Sequence, residues 1–318
     1  MTAPVGWGFL GAGYIARAAL APAVHSADGA ELVAAGARDI ARANALGPRG
    51  TAYGSYDEVL ADPRVEAVYI ALANDDHLPW AERALAVGKH VLCEKPLGLT
   101  AAEVRSMAAA AGTADRLLVE ASWNRWHPRT RRAEELLADA PGPRDVSAWF
   151  TFEGVPADNY RLDPARGGGA LLDIGCYAVA AACAALGDDV TVLTADQRLG
   201  PTGVDLTTTA VLGRGESRAE VTASFEMPES QGVRITTADL TVELPDPAFT
   251  SWRTPSVLTV VQDGVAREET FATCDAYRLM VEAVGARAAG QDAWVLPLTT
   301  STTIATVLDE IVRVAGAA

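Results

Sequence analysis

Two short stretches of the chain carry side chains that could move a proton to or from an alcohol. Lys95 follows a glutamate and precedes a proline, and Asp173 and Tyr177 come just after the three glycines at 167–169. Asp173 and Tyr177 are four residues apart in a helical pattern, so they share one face. A tyrosine hydroxyl can carry the proton of carbonyl–alcohol chemistry, and a nearby ammonium lowers its pKa toward the working pH. Taken singly, Lys95 is more often a solvated lysine and Tyr177 a core aromatic.

A glycine turn near the N-terminus could hold the hydride carrier for such chemistry. Gly11-Ala12-Gly13 begins a G-x-G-x-x-A pattern that ends at Ala16. Gly11 permits the tight turn, Gly13 lets the backbone approach a pyrophosphate, and Ala16 allows close helix–strand packing. The pattern also occurs as a plain glycine turn in α/β folds, but here a strand precedes it and a helix follows. We therefore predict a dinucleotide site whose first contacts are Gly11, Gly13, Tyr14 and Ile15.

The end of the second predicted strand indicates which dinucleotide is used. An acidic residue there binds the ribose 2′-hydroxyl of NAD, whereas an arginine nearby accommodates the 2′-phosphate of NADP. Ala37 stands where the acid is expected, and Arg38 follows it. Arg38 can pair with a phosphate or stack on adenine. We therefore predict NADP, with NAD as the alternative if Arg38 only stacks, and we interpret Asp39 as a helix cap.

Strands and helices alternate over the first part of the chain, which is typical of a parallel sheet covered on both faces. Strands are predicted at Val5–Leu10, Glu31–Ala37, Ala67–Leu72, Val91–Glu94 and Leu117–Ala121. Helices are predicted at Tyr14–His25, Ile40–Leu46, Trp80–Val87 and Ala101–Ala111, and a short one opens at Ser55. We therefore expect an α/β Rossmann domain with a doubly wound parallel sheet over residues 1–121.

The pattern changes at about residue 122, where consecutive strands replace the alternation. Strands are predicted at Val146–Phe152, Val190–Leu193, Leu206–Leu212, Glu220–Phe225, Ala238–Leu244 and Val257–Val261, and Asp263-Gly264 is a strong hairpin turn. Helices are predicted at Pro128–Ala138, Gly169–Leu186, Asp275–Ala289 and Ile304–Val314. We expect an α+β C-terminal domain over 122–318 with an open, largely antiparallel sheet. Its C-terminal helix could pack back on the first domain.

Composition excludes several classes of partner. The 26 basic and 41 acidic residues give a net charge of −15, which repels nucleic acid. The four cysteines are scattered and form no metal-ligand pattern, so no metal is expected. No export signal is visible at the N-terminus, and the apolar run Ala178–Leu186 is too short to cross a membrane. We therefore expect a cytoplasmic protein that binds neither nucleic acid nor membranes.

The chain resembles the glucose-fructose oxidoreductase / inositol dehydrogenase / rhizopine-catabolism (Gfo/Idh/MocA) family over nearly its whole length. The residues that carry the resemblance are the glycine turn, Gly88–Val91, Glu94-Lys95-Pro96 and Gly167–Tyr177. The resemblance implies a Rossmann domain followed by an open, largely antiparallel sheet domain that often makes dimer or tetramer contacts. We therefore expect a homo-oligomer formed through the C-terminal sheet.

The resemblance also implies roles for the proton-moving residues. Lys95 is similar to the family's catalytic lysine and Asp173 to its substrate-binding acid. Much of the family has histidine where this chain has Tyr177. That substitution resembles the branch of dihydrodiol dehydrogenases, xylose dehydrogenases and glucose-fructose oxidoreductase, in which tyrosine is the acid/base. A cis peptide bond is expected before Pro96.

Further site residues follow from the same resemblance. Ala73, Asn74 and His77 match positions near the cofactor ribose and nicotinamide, although the family more often has Thr-Pro-Asn there; the alternative for His77 is a residue at a helix start. Glu94 and Lys95 complete the predicted cofactor contacts. Trp123 and Arg161 are predicted to line the substrate site with Asp173 and Tyr177, the alternative for Arg161 being a surface ion pair.

Three functions are compatible with these residues. The first is an NAD(P)-dependent oxidoreductase acting on a CH–OH or C=O group of a sugar, polyol or cyclic diol, with Tyr177 as acid/base assisted by Lys95. The second is a reductase of nucleotide-linked keto sugars in a biosynthetic pathway. The third is a non-catalytic protein of the same fold that senses the dinucleotide. The intact Lys95 and Tyr177 favour an enzyme, since a sensor need not keep a proton-transfer pair.

Overall fold

Six parallel strands form the sheet of the first unit of the protein. The computed structural model describes residues 3–316, and these strands are β1 (Val5–Leu10), β2 (Ala30–Gly36), β3 (Thr51–Tyr53), β4 (Ala67–Ile70), β5 (His90–Cys93) and β6 (Leu118–Glu120). Their order is β3-β2-β1-β4-β5-β6, with all neighbours parallel. This is the Rossmann order, with its topological switch point between β1 and β4. The predicted fold class of the first domain is confirmed.

Helices connect these strands. The first spans 14–26; it contains a wide π-helical turn at Ala16–Leu20 and ends in α1 (Ala21–Ser26). The others are α2 (Ile40–Asn44), α3 (Tyr56–Ala61), α4 (His77–Ala86) and α5 (Ala101–Ala114). Asp39 caps α2 through its side chain, as predicted, and Ser55 caps α3, the short helix expected to open there. The sequence analysis missed β3, because this three-residue edge strand is only half-buried and has no apolar run.

The second unit is built around a larger, mostly antiparallel sheet. Its strands are β7 (Asp145–Glu153), β8 (Thr191–Leu199), β9 (Asp205–Arg214), β10 (Ser217–Ser224), β11 (Glu226–Thr236), β12 (Leu240–Leu244), β13 (Ser256–Gln262) and β14 (Val265–Phe271). The order is β14-β13-β12-β11-β7-β10-β9-β8, and only β7 and β10 pair in parallel. Asp263 and Gly264 both have positive φ in the two-residue turn between β13 and β14, which confirms the predicted hairpin.

Two strands of this sheet escaped prediction for a common reason. β14 is exposed along most of its length, and the first half of β11 is exposed as well. Neither has the alternation of apolar and polar residues that marks a strand with one buried face. The open, largely antiparallel architecture of the second domain is nevertheless confirmed.

Helices α6 (Pro128–Ala138) and α7 (Cys176–Leu186) lie wholly in the second unit, and most of the C-terminal helix joins them there. α7 packs on β7 and β10 and buries most of its residues. The helical segment 164–186 around it is long and apolar enough to meet a composition test for a membrane span, and it exceeds the apolar run marked in the sequence. Within its most apolar window, 78% is buried inside the protein. Its composition is therefore that of a core helix.

The chain returns to the first unit after β14. Among the described residues, that unit consists of 3–98, Ala102–Trp123 and Asp275–Ser301. α8 (Ala276–Ala288) packs there on α1 and β2, and the side chain of Asp275 caps it. α9 (Leu298–Ala315) follows, and from Thr302 onward it belongs to the second unit, where Ile304 and Ile311 lie in the core.

Candidate active site

Gly11 and Gly13 follow β1 at the switch point, but different constraints act on them. Gly11 has a φ of 102°, and a Cβ atom on it would lie 2.4 Å from the Ala71 carbonyl oxygen. The fold itself therefore requires glycine at position 11. A Cβ on Gly13 would meet only the same oxygen, at an ordinary 3.9 Å. The protein therefore leaves room at Gly13, and a dinucleotide pyrophosphate at this helix N-terminus would fit there.

Two arginines lie near the end of β2. Arg38 is exposed directly after the buried Ala37, and Arg42 donates from Nη2 to the Ala12 carbonyl of the glycine turn at 2.9 Å. Burial raises the pKa of nearby Tyr56, and the charges of both arginines act against that rise. The sequence analysis missed Arg42, although its spacing of four residues from Arg38 was a signal. Two guanidinium groups at this place suit an anionic ligand.

Lys95 stands on a backbone segment that two buried glutamates hold. The Lys95–Pro96 peptide bond is cis, which confirms the prediction. Glu94 Oε2 accepts the Lys95 N–H at 3.2 Å, and Glu120 Oε1, at the end of β6, accepts the Leu97 N–H at 3.2 Å. Both carboxyl groups are buried. The backbone on either side of the proline is therefore fixed by hydrogen bonds in a low-dielectric environment, where they are strong.

Tyr69 of β4 supports the first of these glutamates. Its hydroxyl donates a short hydrogen bond to Glu94 Oε1. Burial raises the pKa of Glu94, and the bond from Tyr69 and the charge of Lys95 act in the opposite direction. Burial and the neighbouring carboxylate raise the pKa of Tyr69 well above its usual value, so its hydroxyl remains a donor. No local pattern marked Tyr69, because its role depends on β4 and β5 being neighbours in the sheet.

His77 and Trp123, which were predicted to contact the cofactor and the substrate, are both buried in the first unit. His77 begins α4 and has no exposed surface, and its Nδ1 lies 2.9 Å from the Pro96 carbonyl. Because a carbonyl only accepts, Nδ1 carries the proton; burial lowers the pKa of His77 to about 4. Trp123 is 3% exposed and stacks on Tyr277, with ring centroids 4.6 Å apart. His77 therefore acts on the site by holding the backbone beside Lys95, and Trp123 lies in the core.

The remaining cofactor candidates lie at the carboxyl ends of β1 and β4, the edge where parallel sheets bind ligands. Tyr14 is 71% exposed, Ile15 and Ala73 are half-buried, and Asn74 is buried. Within residues 3–316 no group of His, Cys, Asp and Glu side chains is arranged to hold a metal ion.

The glycine run at 167–169 belongs to the second unit and is required by close contacts within the protein. A Cβ on Gly168 would lie 2.5 Å from the Arg161 carbonyl oxygen, and one on Gly169 would lie 2.1 Å from Asp205 Oδ1. Asp205, on β9, accepts the Leu171 N–H at 2.8 Å and so caps the helix at 170–186 from 34 residues away. The sequence analysis missed Asp205, because no local pattern links it to that helix.

The structure brings Arg161, Asp173 and Tyr177 together within the second unit. Arg161 Nε donates to Asp173 Oδ2 at 2.6 Å. Asp173 lies in a wide π-helical turn, Leu171–Gly175, a feature frequent at functional sites, and Tyr177 follows in α7. Burial lowers the pKa of Arg161, but the negative charge of Asp173 and smaller contributions from neighbours such as Tyr177 raise it. The net effect is a pKa above the ordinary value. Arg161 is thus in an ion pair, and its partner is the predicted substrate-binding acid.

Aromatic packing fixes the ring of Tyr177. The half-buried ring lies 5.8 Å from that of Phe150 on β7 and 5.5 Å from that of Phe249, measured between centroids. Phe150 and Phe249 also stack on each other at 5.9 Å. Such pairs add specific geometry to hydrophobic burial. Tyr177 therefore combines the packing of a core aromatic with a hydroxyl beside a charged pair.

Comparison with known proteins places this chain in a family. Residues 5–121 match the model described as oxidoreductase family, NAD-binding Rossmann fold, and residues 142–243 match the GFO/IDH/MocA C-terminal domain. A D-xylose 1-dehydrogenase (NADP(+)) 2 from Haloferax volcanii is 41% identical over 87% of this chain and 87% of that protein. This chain belongs to the Gfo/Idh/MocA oxidoreductase family. The resemblance seen in the glycine turn, the Glu94-Lys95-Pro96 motif and Gly167–Tyr177 is confirmed.

Other Gfo/Idh/MocA relatives differ in their named reactions. A trans-1,2-dihydrobenzene-1,2-diol dehydrogenase from Mus musculus is 36% identical over 65% of this chain and 64% of that protein. A 3-ketoreductase from Actinomadura kijaniata, solved with NADP and TDP-benzene, superposes with a TM-score of 0.90 at 26% identity, covering 98% of both chains. An aldose-aldose oxidoreductase from Caulobacter crescentus has a TM-score of 0.89 at 24% identity over 99% of this chain and 98% of that one, which shows a common fold.

Proposed function

We propose that this Gfo/Idh/MocA oxidoreductase transfers a hydride between NADP and a CH–OH or C=O carbon of a sugar, polyol or cyclic diol. The observation that carries the proposal is the cluster of Arg161, Asp173 and Tyr177, which joins hydroxyl-binding charges to a phenol held by aromatic packing. Relatives named as D-xylose and dihydrodiol dehydrogenases support a substrate rich in hydroxyl groups.

The choice of NADP is supported by the end of β2. Ala37 leaves that position without the carboxylate that would bind a ribose 2′-hydroxyl and repel a 2′-phosphate. Arg38 and Arg42 offer two guanidinium groups, which pair with phosphate through several N–H donors. The xylose dehydrogenase relative is named for NADP(+), and the ketoreductase structure contains NADP.

Tyr177 is the acid/base of the proposed reaction. During oxidation its phenolate takes the proton of the substrate hydroxyl, and in reduction its hydroxyl returns a proton to the carbonyl oxygen. The ammonium of Lys95 favours the phenolate and orients the reacting oxygen. When bound, the nicotinamide ring accepts or supplies the hydride of the same carbon. Asp173 binds a further hydroxyl of the substrate.

Kinetics of single variants test these roles. Tyr177→Phe removes only the hydroxyl, and Lys95→Ala removes the ammonium. Each should lower kcat for D-xylose and NADP about 10²- to 10⁴-fold, the usual contribution of general acid–base catalysis. The Kd for NADPH, measured by fluorescence titration, should change far less than kcat, because neither change touches the glycine turn at the pyrophosphate.

Tyr160→Phe is the matched control for the tyrosine. Tyr160 lies in the same unit, is 40% exposed, and its hydroxyl bonds no group among residues 3–316. Its loss should leave kcat near the wild-type value. Turnover that survives in Lys95→Ala or Tyr177→Phe would contradict the catalytic assignment. A wild-type protein that binds NADPH tightly but turns over no substrate would favour a dinucleotide sensor.

A reductase of nucleotide-linked keto sugars is the second candidate. It is favoured by the structural relation to the 3-ketoreductase solved with a TDP ligand. That reaction uses the same cofactor and the same proton-transfer pair, so the variants above do not separate the two functions. A substrate panel does: higher kcat/KM for a TDP-linked keto sugar than for the free sugars and diols would favour the ketoreductase.

A further inference from the structure

Arg129 is a buried arginine of the second unit that has no acidic partner. It is the second residue of α6 and is 1% exposed, and no carboxylate among residues 3–316 pairs with it. Burial lowers the pKa of its guanidinium group to about 10, so Arg129 remains charged at neutral pH. A buried charge is costly unless hydrogen bonds compensate for it. The acceptors of Arg129 lie in or beside residues 245–255, the β12–β13 loop, and they indicate what it holds.

The guanidinium group of Arg129 bridges several points of this loop. Its Nη2 donates to the carbonyl oxygens of Pro247 and Ala248 at 2.9 and 2.7 Å, and to Ser251 Oγ at 2.9 Å. Its Nη1 lies 3.3 Å from the Val257 carbonyl oxygen on β13. Ala248 and Ser251 are buried, and buried backbone carbonyls need donors from within the protein. The planar fork of an arginine supplies several such donors in a fixed geometry, and the loop is thereby tied to α6.

Gln231 of β11 is a second buried side chain that holds the β12–β13 loop. Gln231 is 2% exposed, its Oε1 accepts the Phe249 N–H at 3.0 Å, and its Nε2 donates to Thr250 Oγ1 at 2.8 Å. The loop contains no helix or strand of its own. Its position is therefore set by side chains of neighbouring elements, with Arg129 on the helix and Gln231 on the sheet.

The β12–β13 loop carries Phe249, one of the two aromatic neighbours of Tyr177. The ring centroids of Phe249 and Tyr177 are 5.5 Å apart. The other neighbour, Phe150, stands on β7, which is hydrogen-bonded to a strand on each side. Phe249 is 2% exposed but has no strand to fix it. The orientation of this ring therefore depends on the bonds that hold its loop.

We propose that Arg129 is a positioning residue for Tyr177: it fixes the β12–β13 loop, and through Phe249 it sets the angle of the phenol ring. This inference rests on the proposed function, in which Tyr177 carries the proton. Proton transfer needs the phenol oxygen within roughly 2.6–3.2 Å of the substrate oxygen. A misplacement of about 1 Å can lower a rate on the order of 100-fold. Arg129 thus contributes to kcat from the protein interior, without contact with the substrate.

Arg129→Lys tests this role with little change in size or charge. An ammonium group lacks the planar fork that bridges the loop carbonyls, so the loop and Phe249 should shift. The kcat for D-xylose and NADP should fall about 10- to 100-fold, as for a misplaced reacting group. The Kd for NADPH and the number of NADPH sites per chain, both from fluorescence titration, should stay near the wild-type values. A loss of folded protein would instead reduce the number of NADPH sites in proportion to kcat.

Arg144→Lys is the matched control. Arg144 lies in the same unit and its terminal amino groups also donate to main-chain carbonyls, those of Leu137, Ala140 and Ala185. None of these carbonyls belongs to the β12–β13 loop. The substitution should lower the melting temperature, because the same kind of bonds is lost, and it should leave kcat near the wild-type value.

Phe249→Leu tests the ring that connects Arg129 to Tyr177. Leucine keeps an apolar side chain but removes the aromatic contact, so kcat should fall as it does in Arg129→Lys. Because both changes act through one contact, the double variant should have a kcat near that of the weaker single variant. Losses that multiply in the double variant would overturn the proposal. A wild-type kcat in Phe249→Leu would overturn it as well, even if Arg129→Lys does not fold.

The outcomes separate this inference from the function on which it rests. An unchanged kcat in folded Arg129→Lys, or an equal loss in Arg144→Lys, would overturn the positioning role while the hydride transfer stands. No turnover by the wild type, or full turnover in Tyr177→Phe, would overturn the proposed function. The supporting result is a lower kcat in Arg129→Lys with a full number of NADPH sites, and no further loss when Phe249→Leu is added.

Discussion

The two units of this protein prepare functional residues in different ways. In the first unit they follow strand ends. The segment that carries Lys95 is set by backbone N–H groups that donate to Glu94 and Glu120 and by the His77 ring, which donates to a backbone carbonyl. In the second unit they come from a loop and a helix, and side chains bond side chains, as in the Arg161–Asp173 pair. Main-chain hydrogen bonds act in both units, and the second unit adds a charged side-chain pair next to its candidate acid/base.

Glycines illustrate the same difference, and substituting them gives the largest expected effect. Gly169→Ala places a Cβ atom 2.1 Å from Asp205 Oδ1 at a φ of 119°, which strains both the backbone and the cap of the helix. We expect a loss of about 3 kcal/mol or more in the free energy of unfolding, or failure to fold, from the combined clash and left-handed backbone. Urea denaturation of the purified variant measures the loss.

Gly13→Ala is the counterpart in the first unit. Because no protein atom approaches its Cβ within 3.9 Å, the melting temperature should stay near the wild-type value. The Kd for NADPH should rise roughly 10- to 100-fold, as for an overpacked contact, because the methyl group meets the pyrophosphate. If Gly13→Ala unfolds the protein, or Gly169→Ala does not destabilise it, the distinction between ligand-serving and fold-serving glycines is wrong.

Lowering the pH tests whether the hydrogen bond that holds the backbone beside Lys95 depends on a neutral His77. Burial lowers the pKa of His77 from 6.5 to about 4, so the folded state excludes the protonated form that the unfolded chain readily adopts. The stability contributed by neutral His77 is present above pH 6.5 and is lost as the pH falls toward 4. The free energy of unfolding should fall by on the order of 3 kcal/mol over that range.

Urea midpoints between those pH values check this contribution. His77→Gln should lower stability at pH 7, because the bond to the Pro96 carbonyl is altered. Its stability should then fall less steeply with acid than that of the wild type. Parallel curves for variant and wild type would show that His77 does not carry this part of the pH dependence.

The smallest expected effect is a change in cofactor preference at the end of β2 in the first unit. Ala37→Asp puts a carboxylate beside Arg38, where it would pair with a ribose 2′-hydroxyl and repel a 2′-phosphate. The ratio of kcat/KM for NADP to that for NAD should fall about 10- to 100-fold, since like charges at close range are costly. Arg42→Gln should weaken NADP more than NAD, because it removes a guanidinium group near the 2′-phosphate as well as the bond to the Ala12 carbonyl that both cofactors share. An unchanged cofactor ratio in Ala37→Asp would show that NADP selection lies elsewhere.

Much of the first unit could be predicted from the sequence because its signals are local. The strand Val5–Leu10 was placed at its observed bounds, and the caps at Asp39 and Ser55 and the cis bond before Pro96 were anticipated. Each depends on residues within a few positions of one another. β3 was missed because a short, half-buried edge strand has no such local pattern.

The candidate site was less predictable wherever the contact partner is remote. Tyr69 supports Glu94 from 25 residues away, and Glu120 holds the Leu97 N–H from 23 residues away. Such pairs form only because β4, β5 and β6 lie side by side. For the same reason the stacking of Trp123 on Tyr277 of α8 could not be predicted from the sequence.

The sequence by itself determined the identity of the chemical groups and the elements that bear them. Gly11 and Gly13, Lys95, and the pair Asp173 and Tyr177 were identified from residue type and spacing, which depend on short-range steric and hydrogen-bonding rules. Only the tertiary structure decided which neighbours hold those groups. Whether Arg161 bonds Asp173, and whether Asp205 caps their helix, is set by chain segments that meet only after the sheet has formed, because burial and pairing depend on distance in space.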